Sequence, residues 1–250
     1  MKKLFVLLTA LFTLAQMDAQ EKNVIRIATD MKYFFFLMMA VITLSSCSED
    51  DATTDEYANW QERNDKAFAD TLAYAKAQIA AGSTEWKVIP NYSLANQKPN
   101  VGINGSQVVL KYKDTDYIVV HVLNKGNGNG TPLYTDSIQV SYRGRLIPTD
   151  SYAAGYVFDQ SFTGTYDETT ALPIKAKTDK ASSKSSGGWI DGFTTALMAM
   201  HPGDHWQVFM PADLAYGSSG NGSVPGYSML RFEMVLKSYK RASGKKWITE

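Results

Sequence analysis

Apolar residues between positions 57 and 83 recur at steps of three and four residues. This spacing places them on one side of an α-helix, and Gly82 supplies the expected helix end. The stripe runs through Trp60, Asn64, Phe68, Leu72 and Ala75. Such a stripe has to be covered, and two arrangements remain open: the helix docks on its own domain, or it forms the seam of a homodimer.

The pattern changes from helical to strand-like at about residue 108. Apolar residues now alternate with polar ones or run together, and many are β-branched or aromatic. The stretches are VVLKYK, DYIVVHVL, SIQVSYRGRL, HWQVFM and SMLRFEMVLKSY. One helical window lies among them, GWIDGFTTALMAM at 188–200, and His201-Pro202-Gly203 ends it. We therefore predict an α+β fold, in which a sheet wraps around one short helix and an N-terminal amphipathic helix precedes it.

Proline and glycine punctuate residues 86–107, which are predicted to form an irregular connector with one short strand at most. These patterns divide the chain behind its N-terminal region into three parts. We expect a helix and connector at 57–107, a main domain at 108–240 and a C-terminal tail at 241–250.

Residues 31–47, MKYFFFLMMAVITLSSC, have the composition of a targeting segment. A lysine follows the methionine, the apolar run is too short to span a bilayer comfortably, and LSSC ends the stretch. The stretch resembles a bacterial lipoprotein signal, in which the cysteine that matches Cys47 is acylated and becomes the mature N-terminus. A free cysteine behind an uncleaved hydrophobic anchor is the alternative. Residues 1–20 also have the form of a signal peptide, so we interpret 1–47 as the signal region and expect translation to start at Met31.

An acidic run, SEDDATTDE, follows the cysteine, and residues 48–56 are interpreted as a solvated tether. The run also resembles the signal that sends some lipoproteins of Bacteroidetes-type bacteria to the outer face of the outer membrane, although a plain spacer has nearly the same composition. These features predict a lipoprotein of the cell envelope. We expect a lipid anchor in the outer membrane, with the domain facing the periplasm or the surface.

Charge and composition exclude several classes of protein. Lys and Arg together number 25, as do Asp and Glu, so the neutral chain offers no basic face for nucleic acid. The single cysteine excludes an internal disulfide and a CxxC site, and a helix break at Pro202-Gly203 separates His201 from His205, so we expect no metal site.

GNGNG at 126–130 leads into a strand rather than a helix, which favours a hairpin loop over a phosphate site. Motifs of nucleophilic or cofactor-dependent enzymes are absent from the sequence, so we expect no cofactor.

One reaction that requires neither a nucleophile nor a cofactor is rotation about the amide bond before proline. Its barrier of about 18–20 kcal/mol arises from amide resonance. An apolar, aromatic pocket weakens the charge-separated resonance form, and a hydrogen bond that favours the twisted amide lowers the barrier further. No charged catalyst is required.

Four stretches of the main domain resemble, in order, the successive signatures of the FKBP-type peptidyl-prolyl cis-trans isomerases. They are SIQVSYRGRL, GYVFDQSF, GGWIDGFTTALMAMHPGDHWQVFMPADLAYG and VPGYSMLRFEMVLKSY. The resemblance covers about residues 117–240 and implies a strongly bent antiparallel sheet around the helix, with the proline site between helix and sheet. It implies proline-containing polypeptide substrates and macrolide ligands. Together with the predicted envelope anchor, it leads us to expect an isomerase that assists the folding of extracytoplasmic proteins. The alternatives are a chaperone module that binds proline peptides with little or no turnover, and a surface scaffold that reuses the fold.

The resemblance also assigns roles to particular residues. The catalytic set that it implies consists of Tyr142, Phe158, Asp159, Tyr216 and Phe232. The substrate-binding set consists of Ile174, Trp189, Ile190, Phe193, Val224 and Pro225. The hydroxyl of Tyr216 and the backbone N–H of Ile190 are expected to hold substrate carbonyls, and GSSGNGSVPG (217–226) to lean over bound proline, with glycine supplying mobility.

Two residues depart from the family pattern. Phe193 stands where the family usually has the tryptophan that forms the pocket floor, and Asn221 stands where many members have a histidine in the flap. Both departures are expected to lower activity or macrolide affinity.

Overall fold

The computed structural model describes residues 55–95, 111–179 and 189–250. The predicted signal region, Cys47 and nearly all of the predicted tether lie outside the described residues. Among the described helices, none combines the length and the apolar character that crossing a membrane requires.

The N-terminal amphipathic helix forms where the periodicity predicts it. Helix α1 spans Trp60–Ala80, and its buried residues are the five members of the predicted stripe. The helix lies against the outer face of the sheet, and Tyr74 meets the ring of Trp86 edge-on at 5.2 Å. The chain's own sheet therefore covers the stripe, and a homodimer is not needed for that purpose.

In the described part of the chain, seven antiparallel strands form one sheet. Their bounds are β1 Trp86–Pro90, β2 Tyr117–Asn124, β3 Ser137–Arg145, β4 Val157–Gln160, β5 Ile174–Lys177, β6 His205–Met210 and β7 Leu230–Lys240. The strand order is β1-β2-β6-β7-β3-β4, and β5 pairs with the first half of β3. Register shifts interrupt the pairing of β3 with both β4 and β7, and such irregularities bend a sheet.

The bent sheet encloses one short helix, α3, which spans Asp191–Ala199. Phe193, Ala196 and Leu197 are fully buried between this helix and the sheet. A further helical turn, α2, spans Tyr92–Ala95 behind β1. The α+β prediction, with a sheet wrapped around one short helix behind an amphipathic helix, is confirmed.

The prediction of a hairpin at GNGNG was wrong. The segment joins β2 to β3, which are not neighbours in the sheet, so it is a crossing connection. Its glycines allow a close approach to the turn after α3, because a Cβ at Gly126 would lie 2.2 Å from the carbonyl oxygen of Pro202. The described residues of VVLKYK, 111–113, are not in a strand.

Candidate active site

Two neighbouring strands and helix α3 bring the predicted aromatic residues together. Tyr142 lies on β3 and is paired with Met234, while Phe232 lies on β7 and is paired with Gly144. Side chains alternate between the two faces of a strand, so both rings point to the face that α3 covers. Phe193, in the first turn of α3, meets them there.

These rings pack in mostly perpendicular pairs. The centroid of Phe193 lies 5.1 Å from that of Phe232 and 5.5 Å from that of Tyr142, with ring planes at 77° and 82°. Phe158, on β4, meets Phe232 edge-on at 5.5 Å. Edge-to-face pairs of this kind contribute about 0.5–1.5 kcal/mol beyond their burial. The cluster is therefore a stiff apolar surface.

Gly144 makes this packing possible. A Cβ at this position would lie 2.5 Å from Cζ of Phe158 and 2.7 Å from Cε1 of Phe232. Glycine inside a strand often marks such a close approach. The sequence contained this signal in the glycine of SIQVSYRGRL, although Gly144 was not among the predicted site residues.

Tyr142 carries the polar group at the edge of the cluster. Its hydroxyl donates a hydrogen bond of 2.9 Å to Oδ2 of Asp159. Burial of the ring, followed by this hydrogen bond, raises the pKa of Tyr142 well above its usual range. The phenol therefore stays protonated at neutral pH, and the Asp159 carboxylate is held by a neutral donor.

An indole lies on the face of Phe193. The rings of Trp189 and Phe193 are stacked, with centroids 4.3 Å apart and planes at 15°. Nε1 of Trp189 donates to the carbonyl oxygen of Lys177, at the end of β5, at 2.8 Å. Phe193 is fully buried, whereas Trp189 is only partly buried. The ring nearer the surface is thus that of Trp189.

Ile190 connects this indole to the helix. It precedes α3 with extended backbone, φ −68° and ψ 155°, and its carbonyl accepts hydrogen bonds from the N–H groups of Phe193 and Thr194. Ile174, at the start of β5, is partly buried and packs against the same core.

Tyr216 directly precedes a loop of residues 217–229 that we call the flap loop. Its ring packs against the core, and within the described residues its hydroxyl has no hydrogen-bond partner. Val224 is buried in the same core and Pro225 follows it at the surface of the loop. The structure thus places the phenol of Tyr216 beside the apolar edge of the flap loop.

The flap loop is folded on itself. The backbone N–H groups of Asn221 and Val224 donate to each other's carbonyl oxygens at 2.9 Å, and the N–H of Tyr227 donates to the carbonyl of Gly217 at 2.8 Å. Gly217 and Gly220 have φ of 61° and 69°, which side-chain-bearing residues rarely adopt. The glycines of this loop therefore serve tight turns.

The described part of the chain also contains several hollows away from the predicted set. Four hollows of about 340, 390, 460 and 750 Å³ open between the described residues. None of these four is lined by a residue of the predicted set.

Residues 128–237 match the model of the family described as FKBP-type peptidyl-prolyl cis-trans isomerase. The chain contains an FKBP-type domain. The matched residues begin after β2 and end within β7, so helix α1 and strands β1 and β2 lie outside the match.

Curated relatives agree with this assignment. The chain is 34% identical over 124 residues to the macrophage infectivity potentiator of Trypanosoma cruzi, covering 49% of this chain and 53% of that protein. It is 32% identical over 136 residues to the FKBP-type 22 kDa peptidyl-prolyl cis-trans isomerase of Escherichia coli, covering 54% and 52%. It is 30% identical over 175 residues to the outer membrane protein MIP of Legionella longbeachae, covering 70% and 63%. The chain thus spans between half and two thirds of the length of each of these relatives.

On the other face of its sheet, the FKBP-type domain carries a polar cluster. Arg143 donates to Oε2 of Glu233 at 2.6 Å, and Nε2 of His205 lies 3.0 Å from Oε1 of the same carboxylate. The hydrogen bond to His205, together with Arg143, lowers the pKa of Glu233. These contacts join β3, β6 and β7, the first and last of which carry Tyr142 and Phe232.

Replacing Glu233 by glutamine should lower the free energy of unfolding at pH 7 by about 1.5 kcal/mol, because hydrogen bonds to a charged group are lost. The lowered pKa stabilises the fold at any pH above the usual pKa of a glutamate, and this contribution disappears as the pH falls through the lowered value. Urea unfolding of both proteins between pH 3 and pH 7 measures the difference. Equal stability of the two proteins at pH 7 would contradict this assignment.

Proposed function

We propose that this protein is a peptidyl-prolyl cis-trans isomerase that assists the folding of extracytoplasmic proteins. The observation that carries the proposal is the aromatic cluster of the FKBP-type domain, in which Tyr142, Phe193 and Phe232 meet between α3 and the sheet. The phenol of Tyr216 packs against the same core and acts electrostatically on Tyr142. An apolar surface with one neutral hydrogen-bond donor suits a reaction in which no covalent bond is made or broken.

The reaction is rotation about the C–N bond of the amide before proline. In water, solvent stabilises the charge-separated resonance form of the planar amide, which raises the barrier to about 18–20 kcal/mol. Contact with Trp189, Phe158 and Phe232 replaces that water by apolar surface. The planar ground state then loses more stabilisation than the twisted state, in which resonance is broken.

Hydrogen bonds would hold the substrate during this rotation. We assign the hydroxyl of Tyr216 to one substrate carbonyl and the backbone N–H of Ile190 to another, and we place the prolyl ring between Trp189 and Val224. Asp159 lies at the rim, where its hydrogen bond from Tyr142 fixes the orientation of that ring. Because no buried charge faces the prolyl ring in this arrangement, an apolar residue before proline is the expected preference.

A second candidate is a module that binds proline peptides without useful turnover. The stacking of Trp189 on Phe193 favours it, because an aromatic surface of this kind can hold a prolyl ring without favouring the twisted amide. The two candidates differ in one observable, since both bind proline peptides but only an isomerase accelerates exchange.

The experiment is a series of peptides with different residues before proline, assayed with the full chain. Wild-type protein should accelerate exchange, most strongly after an apolar residue. Tyr216→Phe should lower kcat/KM by about tenfold, the effect of a hydrogen bond made in the transition state. Leu133→Ala, a change at an exposed site, serves as the control and should behave as wild type. Peptide binding with exchange at the rate of buffer would replace the isomerase by the binding module.

We further propose that the protein is anchored to the cell envelope through acylated Cys47. The support is the lipoprotein-like stretch that ends at LSSC and the acidic run behind it. The resemblance of the domain to the outer membrane protein MIP of Legionella longbeachae agrees with such a location.

Replacing Cys47 by alanine should abolish incorporation of labelled palmitate and release the protein from membranes. Each buried CH₂ of an acyl chain contributes about 0.8 kcal/mol to membrane binding. A protein that has lost several acyl chains should therefore no longer stay bound to the membrane. Fractionation of cells that express either form, with detection of label, measures both effects. Label and membrane attachment in the Cys47→Ala protein would exclude acylation at this residue.

A further inference from the structure

The C-terminal end of the flap loop is hydrogen-bonded to helix α1. Nε1 of Trp60 donates to the hydroxyl of Ser228 at 2.9 Å, and that hydroxyl donates in turn to the carbonyl oxygen of Pro225 at 2.6 Å. One helix turn further on, Oδ1 of Asn64 accepts the backbone N–H of Met229 at 2.8 Å. A helix outside the part of the chain that matches the family thus bonds directly to the loop beside the proline site.

Asn64 is a polar member of the buried face of α1. The other buried residues of that helix are Trp60, Phe68, Leu72 and Ala75, and Asn64 is only 1% exposed. Burying an amide is unfavourable unless its polar atoms are paired. Both ends of the Asn64 amide are used, since Nδ2 donates to the carbonyl of Trp60 at 2.6 Å while Oδ1 accepts from the flap loop. An apolar residue would serve docking alone, so the amide indicates a role in holding the loop.

The held segment is conformationally restricted. Tyr227 has a φ of 62°, a left-handed conformation that is uncommon for a residue with a side chain. It lies between Pro225, whose carbonyl is bonded to Ser228, and Met229, whose N–H is bonded to Asn64. The contacts with α1 therefore stabilise a backbone conformation that local preference does not favour.

We propose that α1 is a positioning element of the proline site, in which Trp60 and Asn64 fix the flap loop through Ser228 and Met229. Val224 and Pro225, which we place at the edge of the site, are then held against bound proline. The inference rests on the proposed isomerase function and adds to it a helix that the family match does not include. These residues act through the flap loop and do not themselves touch the substrate.

The test compares KM and kcat of the full chain for one proline peptide with an apolar residue before proline. Ser228→Ala removes the hydroxyl between α1 and Pro225, and Trp60→Phe removes the indole N–H while it keeps an aromatic ring. Each should raise KM by about 3- to 10-fold, the range for one lost hydrogen bond, with kcat changed less than twofold. Ser228→Thr retains the hydroxyl and should restore KM to within about twofold of wild type.

Leu72→Val is the matched control. Leu72 is buried on the same face of α1, about two turns beyond Asn64, and it makes no hydrogen bond to the flap loop. It should lower stability without raising KM. Hydrogen exchange of the amide of Met229 should become faster in Trp60→Phe and Ser228→Ala than in Leu72→Val.

Wild-type catalysis with an unchanged KM in both Ser228→Ala and Trp60→Phe would overturn the inference and leave the isomerase assignment intact. An equal rise of KM in Leu72→Val would also overturn it, because any loosening of the helix would then suffice. Absence of catalysis in the wild-type chain would instead overturn the proposed function and the inference with it.

Discussion

Replacing Phe193 by alanine should lower the free energy of unfolding by about 3–5 kcal/mol, the range for removing a buried phenylalanine. The ring is fully buried and touches Trp189, Tyr142 and Phe232, so the space it leaves cannot be filled without moving the site. Denaturant unfolding of the full chain measures the change. Leu133→Ala, at a residue that is 54% exposed, should stay within about 0.5 kcal/mol of wild type.

Phe193→Trp tests the same packing by adding side-chain volume instead of removing it. An indole adds volume where the neighbouring rings already meet, so we expect a loss of about 1–3 kcal/mol in stability and no gain in affinity for a macrolide or a proline peptide. Unchanged stability with tighter binding would mean that free space lies above Phe193. In that case Phe193, and not Trp189, would be the ring that faces the substrate.

Gly144→Ala should lower kcat/KM for proline peptides by at least about tenfold, because small displacements of groups that position a substrate have large effects on rate. The added methyl would lie within 2.5–2.9 Å of the rings of Phe158 and Phe232, which must separate to admit it. The stability should fall by about 1–3 kcal/mol, as expected for overpacking. Activity assays and denaturant unfolding of the same preparations measure the two effects.

A matched control for Gly144→Ala is Gly82→Ala. Gly82 has a φ of 89° and an open surrounding, so alanine there is strained but touches nothing. The expected loss is about 1–2 kcal/mol, the penalty for a left-handed residue, with kcat/KM unchanged. If Gly144→Ala kept wild-type activity while it lost stability, the contact of Phe158 with Phe232 would not be part of the site.

The elements that the sequence predicted are those with long or ordered patterns. The 21 residues of α1 hold nearly six turns of periodicity, which is enough to predict its buried face. The ordered family signatures predicted the cluster around Tyr142 and Phe232. In contrast, β4 and β5 have four residues each, and alternation over four positions does not distinguish a strand from a loop.

Other features depend on contacts that no local pattern encodes. The link between Trp60 and Ser228 joins residues 168 positions apart, and a buried asparagine in a helix does not indicate what it binds. The stacking of Trp189 on Phe193 depends on the path of the chain from β5 into α3. The hairpin predicted at GNGNG failed because turn residues show that the chain bends but not which strand comes next.

We propose that the aromatic cluster catalyses rotation about the amide before proline. Exchange spectroscopy on a proline peptide at equilibrium measures it most directly, since the cis-to-trans and trans-to-cis rates are read from the same sample without a coupled reaction. Catalytic amounts of the full chain should raise both rates by the same factor and leave the cis fraction unchanged, and Gly144→Ala should lose most of that acceleration. Exchange at the rate of buffer, with a folded wild-type protein that still binds the peptide, would contradict the claim.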